Sequence, residues 1–396
     1  LVRNGLAVVL FLRTGDPFFA VLGQTLGFIS TAIIYAAYTL AVVSYGSTRK
    51  DMLRTILSYG LPYGVGLFVM TICIQFYNVV AAISFDAFTY GNFSAAWLIL
   101  SGIMVIPMSL SSSMFPSFSE TQVSSRFRIS AAFSSSVKFA SSILLFTWIT
   151  IGGASDIIIG LIYGSKYSLA SEIFVMLSSV FVLSIIGWGV INPLLLSLKK
   201  TKALATINLV SVAISVLVIE AFIGSLSSGD VWVIPLAFFI LHASITALGL
   251  AYLRKEYGVS IPAKSALKLI MIVLVLFYAT RRICNIGVEF KICVLSRTID
   301  MGAIFKAIIA FLGVGLLYVF FLIVFKIVTR EDYEIMKNTL LSSLKLQKIL
   351  GKIVEPAFTV SEKMNSLRDR VERLKQMFVI RRDRNASEKA RQGEEL

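Results

Sequence analysis

Few ionisable side chains lie inside the long apolar runs of this 396-residue chain, and they are its first candidates for chemistry. They are Lys138, Glu172, Glu220 and His242. A charge is costly in hydrocarbon, so such groups usually face a bundle interior, a partner group or a watery cavity. Lys138 and Glu220 lie near the ends of their runs, so an interfacial position also explains them. His242 is central, and it either bonds a neighbouring helix as a neutral imidazole or relays protons.

The residue set does not fit the common metal and hydrolytic sites. The chain has one histidine and three cysteines, and no two cysteines have the Cys-x-x-Cys spacing of a zinc site. It also lacks HExxH, GxSxG and Walker A motifs. We therefore expect no enzyme activity, no metal and no cofactor. Cys284 and Cys293 share one polar segment, and if this segment is external a disulfide between them is predicted, with two free thiols as the alternative.

Long runs without charged residues indicate the architecture. Hydrophobic residues make up 57% of the chain, and residues 17–45, 57–85 and 91–119 contain no Lys, Arg, Asp or Glu. A bilayer core about 30 Å thick is crossed by roughly 20 helical residues. The sequence therefore predicts an all-α, polytopic transmembrane helix bundle. Its ten predicted segments are 1–12 (in part), 17–45, 57–85, 92–118, 131–154, 167–197, 203–225, 231–253, 265–281 and 301–327.

The distribution of basic residues predicts the orientation. Lys and Arg concentrate after the second, fourth, sixth and eighth segments and in the C-terminal tail, whereas the alternate loops hold few. Cytoplasmic loops carry such an excess, so we predict a multi-pass protein of the cytoplasmic membrane with a cytoplasmic C-terminus. Basic loops and a basic tail beside anionic lipid headgroups account for the net charge of +15, so a nucleic-acid partner is not needed to explain it. The exception is a predicted external loop with four basic residues, Arg281, Arg282, Lys291 and Arg297.

Residues 329–396 are predicted to form a charged, helical cytoplasmic tail whose end, 381–396, is disordered. A capping-box sequence at 359–362 precedes a short heptad stripe. The stripe consists of Met364, Leu367, Val371, Leu374 and Phe378. This helix either lies on anionic lipid headgroups or pairs with a helix of a protein partner.

Two prolines fall inside predicted spans, Pro107 in the fourth and Pro193 in the sixth. A proline in a helix interior removes a backbone hydrogen bond and bends the helix. Both are therefore candidate hinges, and fixed packing kinks are the alternative. The serine-rich patch at 110–113 suits either close helix packing or the wall of a polar cavity.

Six stretches, in order, resemble motifs of the polysaccharide flippases of the multidrug/oligosaccharidyl-lipid/polysaccharide exporter superfamily. The sequence DIIIGLIYGSKYSLA at 156–170 is similar to the external joint between two of their helices. The others are GLP at 60–62, GNFSAA at 91–96, IPMSLSSSMFPSFS at 106–119, NPLLLSLKKTK at 192–202 and VTREDY at 328–333. The resemblance covers about residues 50–335.

The resemblance implies a fourteen-helix fold in which two six-helix lobes surround a central cavity and two helices follow. The ten segments would then correspond to helices five to fourteen, so the chain is expected to lack about the first four helices. Residues 1–45 would be the last two helices of the N-terminal lobe, and 46–255 the six-helix C-terminal lobe. Residues 256–328 would hold the two additional transmembrane helices.

The resemblance also implies a function: flipping a lipid-linked oligosaccharide or polysaccharide precursor from the inner to the outer leaflet by alternating access. The partners would be the lipid-linked glycan and membrane lipids. Arg54 and Lys138 are then candidates to bind the anionic (di)phosphate, and Asn78, Glu172 and His242 to line the cavity. Asn78 stands where many relatives carry aspartate, so coupling through that position is in doubt.

Two alternatives remain open at this point. One is a cation-coupled drug or metabolite antiporter of the same superfamily. The other is a non-transporting membrane scaffold subunit that binds a protein partner through the heptad helix.

Overall fold

The structure, a computed structural model, describes residues 9–10, 12–42, 50–121, 126–227, 230–261, 263–284, 291–294, 297–300, 302, 305, 308–325 and 327. They belong to two compact units, Leu1–Ser58 and Tyr59–Leu396. The tail predicted at 329–396, with its heptad stripe, lies outside the described residues, as does most of the predicted first segment. The predicted domain boundaries stay predictions.

The described chain is built almost entirely from helices. In chain order these are α1 (Pro17–Val42), α2 (Lys50–Ser84), α3 (Ala87–Ile103), α4 (Val105–Thr121), α5 (Arg126–Thr147), α6 (Ser155–Tyr163), α7 (Ser168–Ser178), α8 (Ile191–Ser197), α9 (Thr201–Ala221), α10 (Ile223–Ser227), α11 (Val233–Tyr257), α12 (Ala263–Cys284) and α13 (Gly315–Val324). Turns of π geometry cover Trp148–Gly152 and Ala310–Val314, and 3₁₀ turns cover Ser165–Tyr167 and Ser179–Ile186. A hairpin pairs β1 (Lys291–Val294) with β2 (Arg297–Asp300) in antiparallel register.

Eight helical stretches of the described chain are long and apolar enough to cross a membrane. They are Val21–Ala41, Arg54–Ser84, Ala87–Pro116, Arg128–Gly152, Ser165–Ile186, Thr201–Ala221, Val233–Tyr257 and Ala263–Cys284, and a shorter apolar helix covers Phe311–Val324. The predicted all-α polytopic bundle is thereby confirmed, and the protein is a multi-pass membrane protein. The kind of membrane and the side of the C-terminus stay predictions.

Two basic residues of the exceptional loop belong to a helix. α12 runs past the predicted end of its segment, so Arg281 and Arg282 lie in its last turn. Arg281 Nη2 lies 3.9 Å from Asp156 Oδ2, and Arg282 Nε donates to the hydroxyl of Tyr278 at 2.7 Å. These contacts give the two arginines a structural role at this end of the bundle.

The fourth predicted span is interrupted, as its proline suggested. α3 ends at Ile103 and α4 begins at Val105, so the interruption is at Met104. Pro107 has no N–H to donate to the carbonyl of Ile103, and a helix therefore cannot continue regularly through this turn. A hinge at Pro107 stays a prediction.

Asp86, which stands alone in a predicted external loop, caps the start of α3. Its Oδ2 accepts the N–H of Phe88 at 3.1 Å, and its Oδ1 accepts the N–H of Thr89 at 3.4 Å. Carboxylates are favoured at this position because they satisfy amides that have no partner within the helix. Hydrogen bonding from Thr89 and Phe88 lowers the pKa of Asp86 below its ordinary value.

Asn92 joins two helices of the second unit through a buried amide. It is 1% exposed. Its Oδ1 accepts the N–H of Ala170 at 2.9 Å, and its Nδ2 donates to the carbonyl of Phe88 at 2.9 Å. Ala170 lies in the first turn of α7, where backbone N–H groups have no acceptor within their own helix. Asn92 thus caps α7 from the neighbouring helix α3.

Two glycines allow helices of the second unit to approach closely. A Cβ on Gly249 of α11 would lie 2.5 Å from Ile191 Cγ2 in α8, and one on Gly66 of α2 would lie 3.2 Å from Ala205 Cα in α9. Helices within lipid have no hydrophobic driving force to associate. Small residues at such contacts let the helices approach closely and gain van der Waals packing instead. Side-chain hydrogen bonds add to this packing: the Tyr77 hydroxyl bonds Ser215, whose own Oγ lies 3.0 Å from the carbonyl of Ala237.

We expect Asn92→Leu to lower the free energy of unfolding by about 1–3 kcal/mol, because the buried N–H of Ala170 loses its acceptor. Thermal unfolding in detergent measures the change. Asn78→Leu is the matched control, since the Asn78 amide bonds only the carbonyl of Ile74 in its own helix among the described residues. Equal melting temperatures for Asn92→Leu and the unsubstituted chain would contradict the capping role.

We expect Gly249→Ala to lower stability by about 1–3 kcal/mol, because the new methyl group overlaps Ile191. Combining it with Ile191→Ala removes the overlapping methyl, so the two substitutions together should cost less than their sum. Gly102→Ala is the control, since nothing lies within 4 Å of a Cβ there. Strict additivity of Gly249→Ala and Ile191→Ala would argue against the contact.

Candidate functional site

The sixth predicted span does not form one helix. α7 passes into the 3₁₀ turn Ser179–Ile186, the chain then turns at residues 187–190, and α8 starts at Ile191. We call residues 187–190 the break. Gly187 and Gly189 have φ values of +106° and +86°, a region that favours glycine. The sequence Gly-Trp-Gly thus permits a turn within an otherwise apolar span.

Carbonyl groups at the break accept hydrogen bonds from serines of two other helices. Ser111 Oγ of α4 donates to the carbonyl of Gly189 at 2.8 Å, and Ser141 Oγ of α5 donates to the carbonyl of Ser184 at 3.0 Å. Non-helical backbone at membrane depth is tolerated only where it is buried in protein or lines a watery cavity. Ser111 supplies the donor that Pro193, four residues after Gly189, lacks, and Ser141 adds a second donor to the carbonyl of Ser184, which also accepts the N–H of Gly187 at 3.0 Å.

An aromatic pair lies at the break. The rings of Trp188 and His242 meet edge to face with centroids 5.7 Å apart, and both side chains are half-buried. His242 Nδ1 lies 2.9 Å from the carbonyl of Phe238 on its own helix, so Nδ1 carries the proton in this bond. His242 Nε2 is then an acceptor beside the indole of Trp188.

Ser184 adds a polar atom without a partner. Its Oγ is buried, and among the described residues no group forms a hydrogen bond with it, although its own carbonyl accepts from Ser141. Buried hydroxyls are normally paired, and an unpaired one costs about 1–3 kcal/mol. Two half-buried aromatic rings thus lie at the break, and a buried unsatisfied hydroxyl lies in the 3₁₀ turn just before it.

The structure brings two of the predicted site residues to the break. His242 contacts Trp188, and Pro193 lies in the first turn of α8, where a proline is tolerated without bending the helix. Pro193 has no N–H to donate to the carbonyl of Gly189, four residues earlier, and the chain turns at the break just before it. The candidate hinge at Pro193 stays a prediction. Lys138 lies one turn before Ser141 on α5 and is half-buried, and its carbonyl accepts from Ser142 Oγ at 2.7 Å.

The other predicted site residues lie elsewhere. Glu172 on α7 is exposed, and Asn78 on α2 is half-buried and bonds the carbonyl of Ile74 at 3.3 Å. Arg54 is exposed and belongs to the first compact unit. Their roles in a cavity stay predictions.

The predicted disulfide also stays a prediction. Cys284, the last residue of α12, is buried beside Ala154 and Ile157. Cys293 lies in β1, and its side chain is outside the described set. Across the described residues, no three His, Cys, Asp or Glu side chains group together as a metal site would require.

Sequence reasoning missed the break and the residues that hold it, namely Gly187, Trp188, Gly189, Ser111 and Ser141. The available signal was the sequence Gly-Trp-Gly within an apolar run. Two glycines flanking a bulky residue in a span favour a turn over a helix. The serines carry no such signal, because most serines in these spans bond carbonyls of their own helices.

A scan of the sequence against models of known protein families finds no match, and a search of curated proteins finds none either.

We expect Ser111→Ala to destabilise the break, because the carbonyl of Gly189 loses its donor, at a cost of about 1 kcal/mol. Hydrogen exchange of the Val190 and Ile191 amides, followed by mass spectrometry, should then be faster. Ser112→Ala is the matched control, since Ser112 is exposed and donates to Met108 of its own helix. Unchanged exchange in Ser111→Ala would show that this bond does not hold the break.

Proposed function

We propose that this protein is a membrane transporter that flips a lipid-linked oligosaccharide or polysaccharide precursor from the inner to the outer leaflet by alternating access. The observation that carries the proposal is the break at 187–190 with the half-buried Trp188 and His242 at it, and with the half-buried Lys138 one turn before Ser141 on α5. Discontinuous helices with polar groups at membrane depth are typical of substrate sites in transporters.

The predicted orientation places the break in the cytoplasmic half of the membrane. α8 has seven residues and leads from the break toward Lys199 and Lys200, so it rises about 10 Å. A substrate headgroup that enters from the inner leaflet would meet the break after crossing this short helix. This depth supports entry from the cytoplasmic side.

Polar side chains on outward faces of the spans support the proposal further. Ser112 and Ser113 are exposed on α4, Gln75 is exposed on α2, and Asn78 is half-buried there. Such groups do not favour lipid tails, whereas they suit a surface along which a hydrated glycan passes. The sequence resemblance adds the substrate class, a glycan on an isoprenoid diphosphate.

Each part of this substrate has a suitable partner. The diphosphate needs a cation, which Lys138 supplies within the bundle, and charge-assisted hydrogen bonds are the stronger kind. The glycan needs hydrogen-bonding groups and apolar faces, which are present at the break. The isoprenoid tail needs only lipid, so it stays outside the bundle while the headgroup crosses.

We expect Lys138→Ala to slow flipping of a polyprenyl diphosphate carrying N-acetylglucosamine by about ten-fold or more in reconstituted vesicles, because the diphosphate loses its cation. Lys138→Arg should keep most of the rate. Lys202→Ala is the control, because Lys202 is an exposed lysine at the start of α9.

Three results would count against this reading. Flipping at the full rate by Lys138→Ala would remove the lysine from the mechanism. Failure of the unsubstituted chain to move the probe would overturn the flippase. Uptake of a soluble organic cation without movement of the lipid would support the antiporter instead.

A further inference from the structure

A row of aromatic rings runs from the break into the core of the second unit. Trp188 contacts His242, His242 contacts Phe238 with centroids 4.4 Å apart, and Phe238 contacts Trp97 at 5.3 Å. On its other side Trp188 contacts Phe181 at 5.7 Å. The row anchors Trp188 firmly, although its backbone lies in a turn.

Trp188 differs from the other tryptophans of the spans. The indole of Trp97 stacks on Phe93 with an interplanar angle of 25°, and that of Trp148 stacks on Phe277 at 11°. Trp188 meets Phe181 at 70° and His242 at 73°. Among the described residues, no parallel ring therefore covers either face of the Trp188 indole, and the side chain is half-buried rather than buried.

A hydrogen-bond acceptor on the His242 ring lies beside this indole. His242 Nδ1 is engaged with the carbonyl of Phe238, so Nε2 is the ring atom that can accept a hydrogen bond from a ligand hydroxyl. A sugar hydroxyl would satisfy this acceptor.

This combination matches the chemistry of a sugar ring. One face of a hexopyranose is lined with C–H groups of slightly positive charge, and hydroxyls surround its edge. The negative face of an aromatic ring attracts such C–H groups, and nearby polar atoms bond the hydroxyls. A diphosphate would need cations and an isoprenoid tail would need lipid, so neither fits this pair as well.

We propose that Trp188 is the sugar-binding residue of the transporter: a hexopyranose ring of the glycan stacks on its indole, and His242 Nε2 accepts a hydrogen bond from a sugar hydroxyl. The inference rests on the proposed function for the substrate class. Flanking glycines allow the turn that presents the indole, and the aromatic row fixes its position.

The first test compares two probes in reconstituted vesicles: polyprenyl diphosphate carrying N-acetylglucosamine, and the same polyprenyl diphosphate without sugar. We expect Trp188→Leu to slow the sugar-bearing probe about 3- to 10-fold and to leave the sugar-free probe within about 2-fold. Trp188→Phe, which keeps an aromatic face, should retain most of the rate. Trp232→Leu, at a residue outside the membrane spans, is the matched control.

An equal loss for both probes, or no loss for either, would overturn the sugar-binding role. The second test is independent of transport: tryptophan fluorescence of the full chain in detergent, titrated with a soluble N-acetylglucosamine oligomer. A fluorescence change that disappears in Trp188→Leu and persists in Trp232→Leu supports the inference even if the chain flips no lipid. No change in the unsubstituted chain would overturn the inference, whatever the flipping assay shows.

Discussion

Every backbone polar group within the hydrocarbon must find a hydrogen-bond partner inside the protein. At the break at residues 187–190, these partners include side chains of other helices. A continuous helix would satisfy its carbonyls internally. Here Ser111 and Ser141 donate from two other helices, at 2.8 and 3.0 Å. The interruption of the chain therefore requires α4 and α5 to lie against it, and it links three elements that are distant in sequence.

The close approach of helices in the second unit serves the same constraint. A Cβ on Gly249 would overlap Ile191, the first residue of α8, so α8 can dock only where α11 carries no side chain. A Cβ on Gly187 would likewise lie 2.9 Å from Phe133. Glycines at these positions thus allow the interrupted span to pack closely against its neighbours. Close approach matters here because helices within lipid gain little from hydrophobic contact and depend on packing and hydrogen bonds.

The apolar spans could be predicted from sequence because their signal is long and additive: some twenty residues must all tolerate lipid. The turn at Gly164, whose φ is +87°, lies in the stretch 156–170, whose sequence resembles an external joint between two helices of the flippases. The break could not be predicted in this way, because Gly-Trp-Gly leaves the run apolar. Pro193 gave a visible signal just after the break, since a proline cannot donate a hydrogen bond to the carbonyl of Gly189 four residues earlier.

The partners of the charged residues were equally hidden. Arg281 departs from the charge pattern of the loops, and Asp156, 3.9 Å away, is the partner that the sequence does not reveal. His242 was recognised as unusual from its type and depth alone, whereas its neighbour Trp188 was not, since tryptophan is common in membrane spans. Periodicity and charge in the sequence predict single helices. A contact between two helices also depends on how they are rotated about their axes and how deep each lies in the membrane, and sequence patterns do not give either.

The break also has a consequence for motion. Its two serine donors come from helices α4 and α5, and α4 begins just after the interruption at Met104. A displacement of α4 relative to α5 must therefore lengthen one of these two hydrogen bonds before it strains a regular helix. Each bond contributes only about 1 kcal/mol, so such a displacement would cost little at these two contacts. Trp188, the residue proposed to bind the sugar, lies between Gly187 and Gly189, so its position depends on the hydrogen bond from Ser111 as well as on the aromatic row.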